Sequence, residues 1–147
     1  MSIFLLDVNV LLALAWPNHI HHEAAHIWFQ EHGPSGWATC TLTQLGFLRL
    51  SMQPAVVKVP LLFGDALAVL AQSTAHSKHR FWPLDYGVAG IRDEIRVRIV
   101  GHRQLSDALF LDFAIRHKAR LSTFDRRIIG LLPLGSELLD SVATIPA

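Results

Sequence analysis

Short strand-like segments recur along this chain, and stretches with helical spacing fill the intervals between them. The segments are Ile3–Leu6, Trp37–Cys40, Phe81–Leu84 and Leu121–Phe124. Ile3–Leu6 is apolar at every position, the pattern of a strand buried on both faces. Both faces of a sheet are covered when helices cross over between parallel strands. Strands alternating with helices therefore predict an α/β layer fold with a mainly parallel central sheet. At 147 residues, with no internal repeat and no long linker, the chain reads as a single domain, residues 1–147. Its 51% apolar and 17% charged residues supply a core and exclude disorder. One cysteine, Cys40, excludes an internal disulfide framework and a multi-cysteine zinc site.

The helices fit into the intervals. Asn9–Ala15 makes a turn or two and stops at Pro17–Asn18. A second helix runs from near His21 to His32, with Ala25, Trp28 and Phe29 at i, i+3 and i+4 and Gly33–Pro34 as terminator. Thr41 or Thr43 caps a third that continues to Ser51. Pro60 opens a fourth whose apolar face is Leu62, Ala66, Val69 and Leu70. Ser73–Arg80 is polar and reads as a connection. Tyr86–Ile95 has a helical tendency weakened by Gly87 and Gly90. Ser106 looks like an N-cap, with Asp107 at the first helical position, Ala108, Leu111 and Ile115 at helical spacing, and Lys118 in the last turn. A last apolar run lies around Leu138–Val142.

The first residues carry no positive region and Asp7 cuts their apolar run, so neither a signal peptide nor a membrane helix is expected, and the default compartment is the cytoplasm. Net charge is +1, which alone does not argue for nucleic acid. Its distribution is more informative. Residues 1–75 carry −2 and residues 76–147 carry +3, and Arg116, Lys118, Arg120, Arg126 and Arg127 lie within a dozen positions. Such a patch can hold phosphates on a near-neutral protein. The plainer account of each cation singly is a solvated helix end.

Three carboxylates carry the chemistry. Asp7 follows the first strand, Asp125 follows the late strand, and Asp107 starts the helix leading into that late strand. In a parallel sheet all three are placed to reach the carboxyl edge of the strands, where the active crevice of such folds lies. Each has a simpler role alone: Asp7 as a helix cap, Asp107 on a helix dipole, Asp125 in a turn. Their shared placement is what capping leaves unexplained. Converging carboxylates repel one another, and a divalent cation such as magnesium or manganese relieves that repulsion. A bound metal also activates water and polarises a phosphoryl oxygen, so metal-dependent phosphodiester hydrolysis is the chemistry expected.

Four segments in order resemble the PIN-domain nucleases, and more closely the toxin half of VapBC-type toxin–antitoxin pairs. They are Leu5–Leu12, Leu42–Arg49, Leu105–Ala108 with its helix, and Ala119–Arg126. His22, Ala25 and Trp28 are similar to the first-helix pattern of these toxins. The resemblance implies a three-layer α/β/α sandwich and a Mg²⁺-dependent endoribonuclease, with Mn²⁺ as a possible substitute. It implies cellular RNA as substrate, often tRNA or ribosomal RNA, and a VapB-type antitoxin whose tail crosses the active groove. It also implies a homodimer, without a membrane partner. By position Asp7, Asp107 and Asp125 match the catalytic and metal-binding acids. Asn9 matches the polar residue orienting the first aspartate, and Thr123 a hydroxyl beside the last. Arg120, Arg126 and Arg127 are candidate RNA-phosphate contacts. At one position the chain departs: Gln44 stands where the family usually has a glutamate. A carboxamide is neutral but its oxygen still accepts a hydrogen bond or coordinates a metal. The site then carries three formal charges, which weakens the case for a second metal. Glu23 and Asp112 are the only substitutes in view, and Asp112, five positions past Asp107, points elsewhere around the helix.

Other features weigh less. His19, His21, His22 and His26 cluster, with His22 and His26 at zinc-binding spacing; surface or helix-cap histidines are the simpler account. His102 lies close enough to Asp107 in sequence to approach a substrate phosphate. The four tryptophans read as core or interface. Two rival functions remain. An aspartyl phosphatase would want a second aspartate where Asn9 stands. A non-catalytic PIN-like module binding an antitoxin or RNA has Gln44 as its best support.

Overall fold

The computed structural model describes residues 2–147. Five strands, β1 Phe4–Leu6, β2 Trp37–Thr39, β3 His79–Phe81, β4 Arg120–Thr123 and β5 Val142–Thr144, form one sheet in the order β3-β2-β1-β4-β5. Every pairing is parallel. The helices are α1 Val8–Ala15, α2 His22–His32, α3 Thr41–Ser51, α4 Pro54–Val57, α5 Phe63–Thr74, α6 Asp93–Arg96 and α7 Leu105–Arg116.

The alternation of side chains in β1 divides the interior in two. Leu5 packs on one face with Leu121, Leu111 and Phe113, under α7. Phe4 and Leu6 pack on the other with Trp28, Trp37 and Phe47, under α1, α2 and α3. Helices on both faces of a parallel sheet make the three-layer α/β/α sandwich expected from the sequence. All three residues of β1 are buried, which accounts for its unbroken apolar run.

Several element boundaries differ from the sequence reading. The third strand is His79–Phe81, two residues before the expected segment Phe81–Leu84. It is an edge strand pairing only with β2, and Arg80 and Phe81 are exposed, so no apolar run marks it. The helix expected to open at Pro60 is α5, which starts at Phe63, because Asp65 accepts a hydrogen bond from the Leu62 amide at 3.2 Å and so fixes the first turn; the short α4 before it was not expected. Tyr86–Ile95 is not one helix but a 3₁₀ turn, Val88–Gly90, followed by the single turn α6. Helix α7 begins at Leu105, so Ser106 lies inside its first turn and is not the cap. The preceding loop is closed instead by the Gln104 carboxamide, whose oxygen accepts from the amides of Val100 at 2.7 Å and Gly101 at 3.1 Å. The run Leu138–Val142 is mostly a 3₁₀ turn that delivers the edge strand β5.

Candidate active site

Strands β1 and β4 are neighbours in register, Leu6 beside Ser122, and both end at the same edge of the sheet. The residue after Leu6 is Asp7, whose amide donates to the Ser122 carbonyl at 3.0 Å. Asp7 is also the N-cap of α1: its Oδ1 accepts from the Val8 amide at 2.8 Å. Its Oδ2 accepts from the Thr123 hydroxyl at 2.8 Å. That same Thr123 oxygen accepts from the Asp125 amide at 3.0 Å, so one hydroxyl ties the first acid to the backbone of the last. Burial pushes the Asp7 carboxyl up from its usual range, the bonds from Thr123 and Val8 pull against that, and the charge of Asp125 adds to the rise.

Asp107, in the first turn of α7, is partly buried. Burial, then the charges of Asp7 and Asp125, push its carboxyl up to about 6, with Arg127 opposing. Two neighbouring carboxylates raising the third is the electrostatic mark of a shared site. Asp125 behaves oppositely. Its Oδ1 accepts from the Arg127 amide at 2.9 Å and from Nε at 3.0 Å, and its Oδ2 from Nη2 at 3.0 Å. These bonds hold Asp125 below the ordinary carboxylate range.

The acids lie between two clefts. One, about 490 Å³, is lined by Asp7, Asn9, Arg49, Leu42 and Leu45 together with Asp107 and Asp125. The other, about 390 Å³, is lined by His102, Arg103 and Arg127, again with Asp107 and Asp125. Gly46 lets α3 close on the first cleft: a Cβ there would meet Val8 Cγ2 at 2.7 Å, so only glycine allows α3 this near the first turn of α1.

The structure thus brings Asp7, Asp107, Asp125, Thr123 and Arg127 together. Asn9 lines the cleft but is exposed, and the bonds that orient Asp7 come from Val8 and Thr123. Gln44 lines neither cleft: its Nε2 donates to the Thr39 hydroxyl at 3.0 Å, and that hydroxyl lies 2.8 Å from His79 Nε2. Arg126 is exposed at the start of the turn after Asp125. Arg120 is not in the site. It begins β4, at the opposite end of the strand from the acids, and its Nε donates to the Asp140 carbonyl at 2.7 Å. The basic run counted in sequence is divided by the length of a strand. Asp112 faces away from the acids, buried and paired with Arg92 and Arg116 at 2.8 Å each. Glu23 is exposed on α2. His22 and His26 use ring nitrogens on the carbonyls of Ala13, at 2.6 Å, and Leu14, at 2.9 Å, which end α1. Arg49 and Arg103 were missed as cleft residues. Nothing in their spacing marks them, because one ends a helix and the other sits in a loop.

Three carboxylates at one cleft form a hard oxygen donor set of the kind magnesium and manganese take. No three His, Cys, Asp or Glu side chains among the described residues are placed, as they stand, so that they could hold a metal ion together. Asp125 is turned to Arg127, and no side-chain hydrogen bond reaches the Asp107 carboxylate among the described residues. Asp107 is compensated only by the charge of Arg127, and the three acids are the residues that would hold a divalent cation together with water.

An all-parallel α/β/α sandwich with acids converging at the carboxyl ends of its two central strands defines the class, and the chain belongs to the PIN-domain family, whose model matches residues 4–131. It is 43% identical over 125 residues to ribonuclease VapC39 of Mycobacterium tuberculosis, covering 82% of this chain and 87% of that one. It is 44% identical over 127 residues to ribonuclease VapC38 of the same organism, covering 86% and 88%. Within the family the chain therefore falls among the VapC ribonucleases. Two solved structures share the fold. VapBC2 from Rickettsia felis, bound to a DNA fragment from its promoter, superposes with a TM-score of 0.62 at 15% identity, over 98% of this chain and 99% of that one. FitAcB from Neisseria gonorrhoeae gives 0.57 at 22% identity, over 97% and 96%. No helix among the described residues is long and apolar enough to cross a membrane.

Proposed function

We propose that this chain is the toxin of a type II toxin–antitoxin pair, a Mg²⁺-dependent endoribonuclease acting through Asp7, Asp107 and Asp125. The observation that carries this reading is the convergence of the three acids, with Asp107 pushed up to about 6 by burial and by the other two. A site that holds uncompensated negative charge is costly without a function. Magnesium bound there supplies a nucleophilic water and polarises the phosphoryl oxygen. The protein's own contribution is positional. Asp7 is locked by Val8 and Thr123. Asp107 projects from a helix fixed in the core. Asp125 would hold the cation with the oxygens that Arg127 now occupies, and that guanidinium would then be available to a substrate phosphate. Manganese is the expected substitute. A VapB-type antitoxin, a homodimeric state and a cytoplasmic location belong to the same proposal, as the resemblance implies, and the two structural neighbours whose names carry both partners support the antitoxin.

The non-catalytic reading rested on Gln44. Its amide is spent on Thr39, so the three-carboxylate site stands without it. The test is cleavage of total cellular RNA by the chain freed of antitoxin, with and without Mg²⁺ or Mn²⁺, with Asp7→Asn as control. Discrete metal-dependent fragments, absent in the variant, support the nuclease; a folded chain that cuts nothing at any metal concentration overturns it.

A further inference from the structure

Asp107 and Asp125 line both clefts, so a polymer lying over the acids enters by one cleft and leaves by the other. Each cleft holds an arginine whose charge the protein leaves unpaired. Neither Arg49 nor Arg103 has a carboxylate within ion-pair distance among the described residues. Arg92 and Arg116 are spent on Asp112, Arg120 donates to the Asp140 carbonyl and Arg127 to Asp125; Arg80 and Arg126 also have no carboxylate partner, but neither lines one of the two clefts. Helix α3 brings its last turn, and Arg49, to the first cleft. The helix dipole accounts for a cation in that turn but not for its place in the cleft wall. Arg103 has no such account. It sits in the 3₁₀ turn His102–Gln104 that runs into α7, one helical turn before Asp107. The Gln104 carboxamide pins that turn to the amides of Val100 and Gly101, so Arg103 and His102 are held at the cleft. Three acids alone would repel a polyanion, and unpaired cations flanking them reverse the local field.

We propose that Arg49 and Arg103 are phosphate-binding residues on opposite sides of the acids, each holding a phosphate that neighbours the scissile one in a single RNA strand. The inference rests on the nuclease reading above and adds the path of the substrate. His102 lies beside Arg103 on that path. Arg120, on the far edge of the sheet, has no part in it.

The experiment measures binding of a labelled single-stranded RNA in EDTA, where nothing is cut, across a salt series. The proteins are wild type, Arg49→Ala, Arg103→Ala, the double variant, and Arg120→Gln. Each phosphate contact to a single strand contributes about 0.7 to the slope of log affinity against log salt. The expected result is a slope shallower by about 0.7 in each single variant and by about 1.4 in the double, with Arg120→Gln as wild type. With Mg²⁺ present, KM rises in the single variants while kcat stays within about twofold. Thermal melting checks each fold, and Arg→Gln versions replace any alanine variant that melts below wild type. Unchanged slopes and KM in variants of an active nuclease overturn the path and leave the nuclease standing. A fall in kcat at constant KM also overturns it. Wild type that binds with the expected slopes yet cuts nothing removes the nuclease and keeps the path. A wild type that neither binds nor cuts removes both.

Discussion

Asp107 and Asp112 stand five positions apart on one helix and are perturbed in opposite directions. Asp107 has two acids for neighbours and is raised to about 6. Asp112 is also buried, which alone would raise it, but bonds from Tyr86, the Arg92 amide, Arg116 and the Arg92 side chain outweigh that and hold it low. The sign for Asp107 follows from linkage. Its carboxyl titrates near 3.9 in the unfolded chain, so between about 4 and 6 the folded state binds more protons, and stability falls as pH rises through that window. Asp107→Asn is therefore expected to stabilise the metal-free protein by about 1 kcal/mol at pH 7.5, a figure reduced for solvent screening, with no gain at pH 3.5. Denaturant melts at the two pH values measure this. On the proposed function the same variant is expected to lose at least about 100-fold in cleavage, because the group that destabilises the fold is one of the three acids proposed to hold the metal. Thr123 tests the other acid. Thr123→Val keeps the shape but leaves Asp7 Oδ2 without its donor. A loss of about 1–2 kcal/mol in stability is expected, with kcat falling more than KM, as urea melts and steady-state kinetics would show.

Helix α7 joins site to core, and Asp112 is its anchor. Through Arg92 and Tyr86 this carboxylate binds the irregular segment before α7, which lacks a long helix of its own. Asp112→Ala should cost about 3 kcal/mol, since two arginines lose a buried partner. The activity per folded molecule should not change, because Asp112 touches no cleft; melting temperature and active-site-normalised kcat separate the two effects. Its held-down pKa adds an acid limb. The stabilisation it gives is present above the unfolded value near 3.9 and is lost as pH falls through the lower folded value. The helix also shows what the sequence disclosed. Its apolar spacing and Asp107 were legible, because a core helix must repeat its apolar face. Its cap was not: Ser106 has the right chemistry for a cap, but the turn is closed by Gln104 from a loop whose path is tertiary. β1 and β4 were legible for being buried on both faces. β3 was displaced because an edge strand needs no apolar run. Asp7 and Asp125 could be placed from strand ends, and Asp107 from the start of the helix that leads into β4. The separation of Arg120 from Arg127 could not, since only the direction of β4 sends them to opposite edges.

In the whole molecule, β1 lies at the middle of a sheet whose partners come from both ends of the chain. Residue 7 meets residue 123 across 116 positions, through a single hydroxyl. The order β3-β2-β1-β4-β5 reverses direction at the β1–β4 boundary, the switch point where crevices open in parallel sheets. Protection should follow the same order. In hydrogen exchange, amides of β1 and β4 are expected to open last and those of the edge strands β3 and β5 first, with peptide-level mass spectrometry as the readout. An order with β3 most protected would contradict the topology. The pairing of β1 with β4 also sets a clock. Asp7 leaves the ribosome 116 residues before the Thr123 that fixes it. A chain still being synthesised holds Asp7 with no Thr123 to fix it and no Asp125 to face. On the function proposed above, a chain of this build cannot cut the message that encodes it until β4 and Asp125 have been made and joined to Asp7.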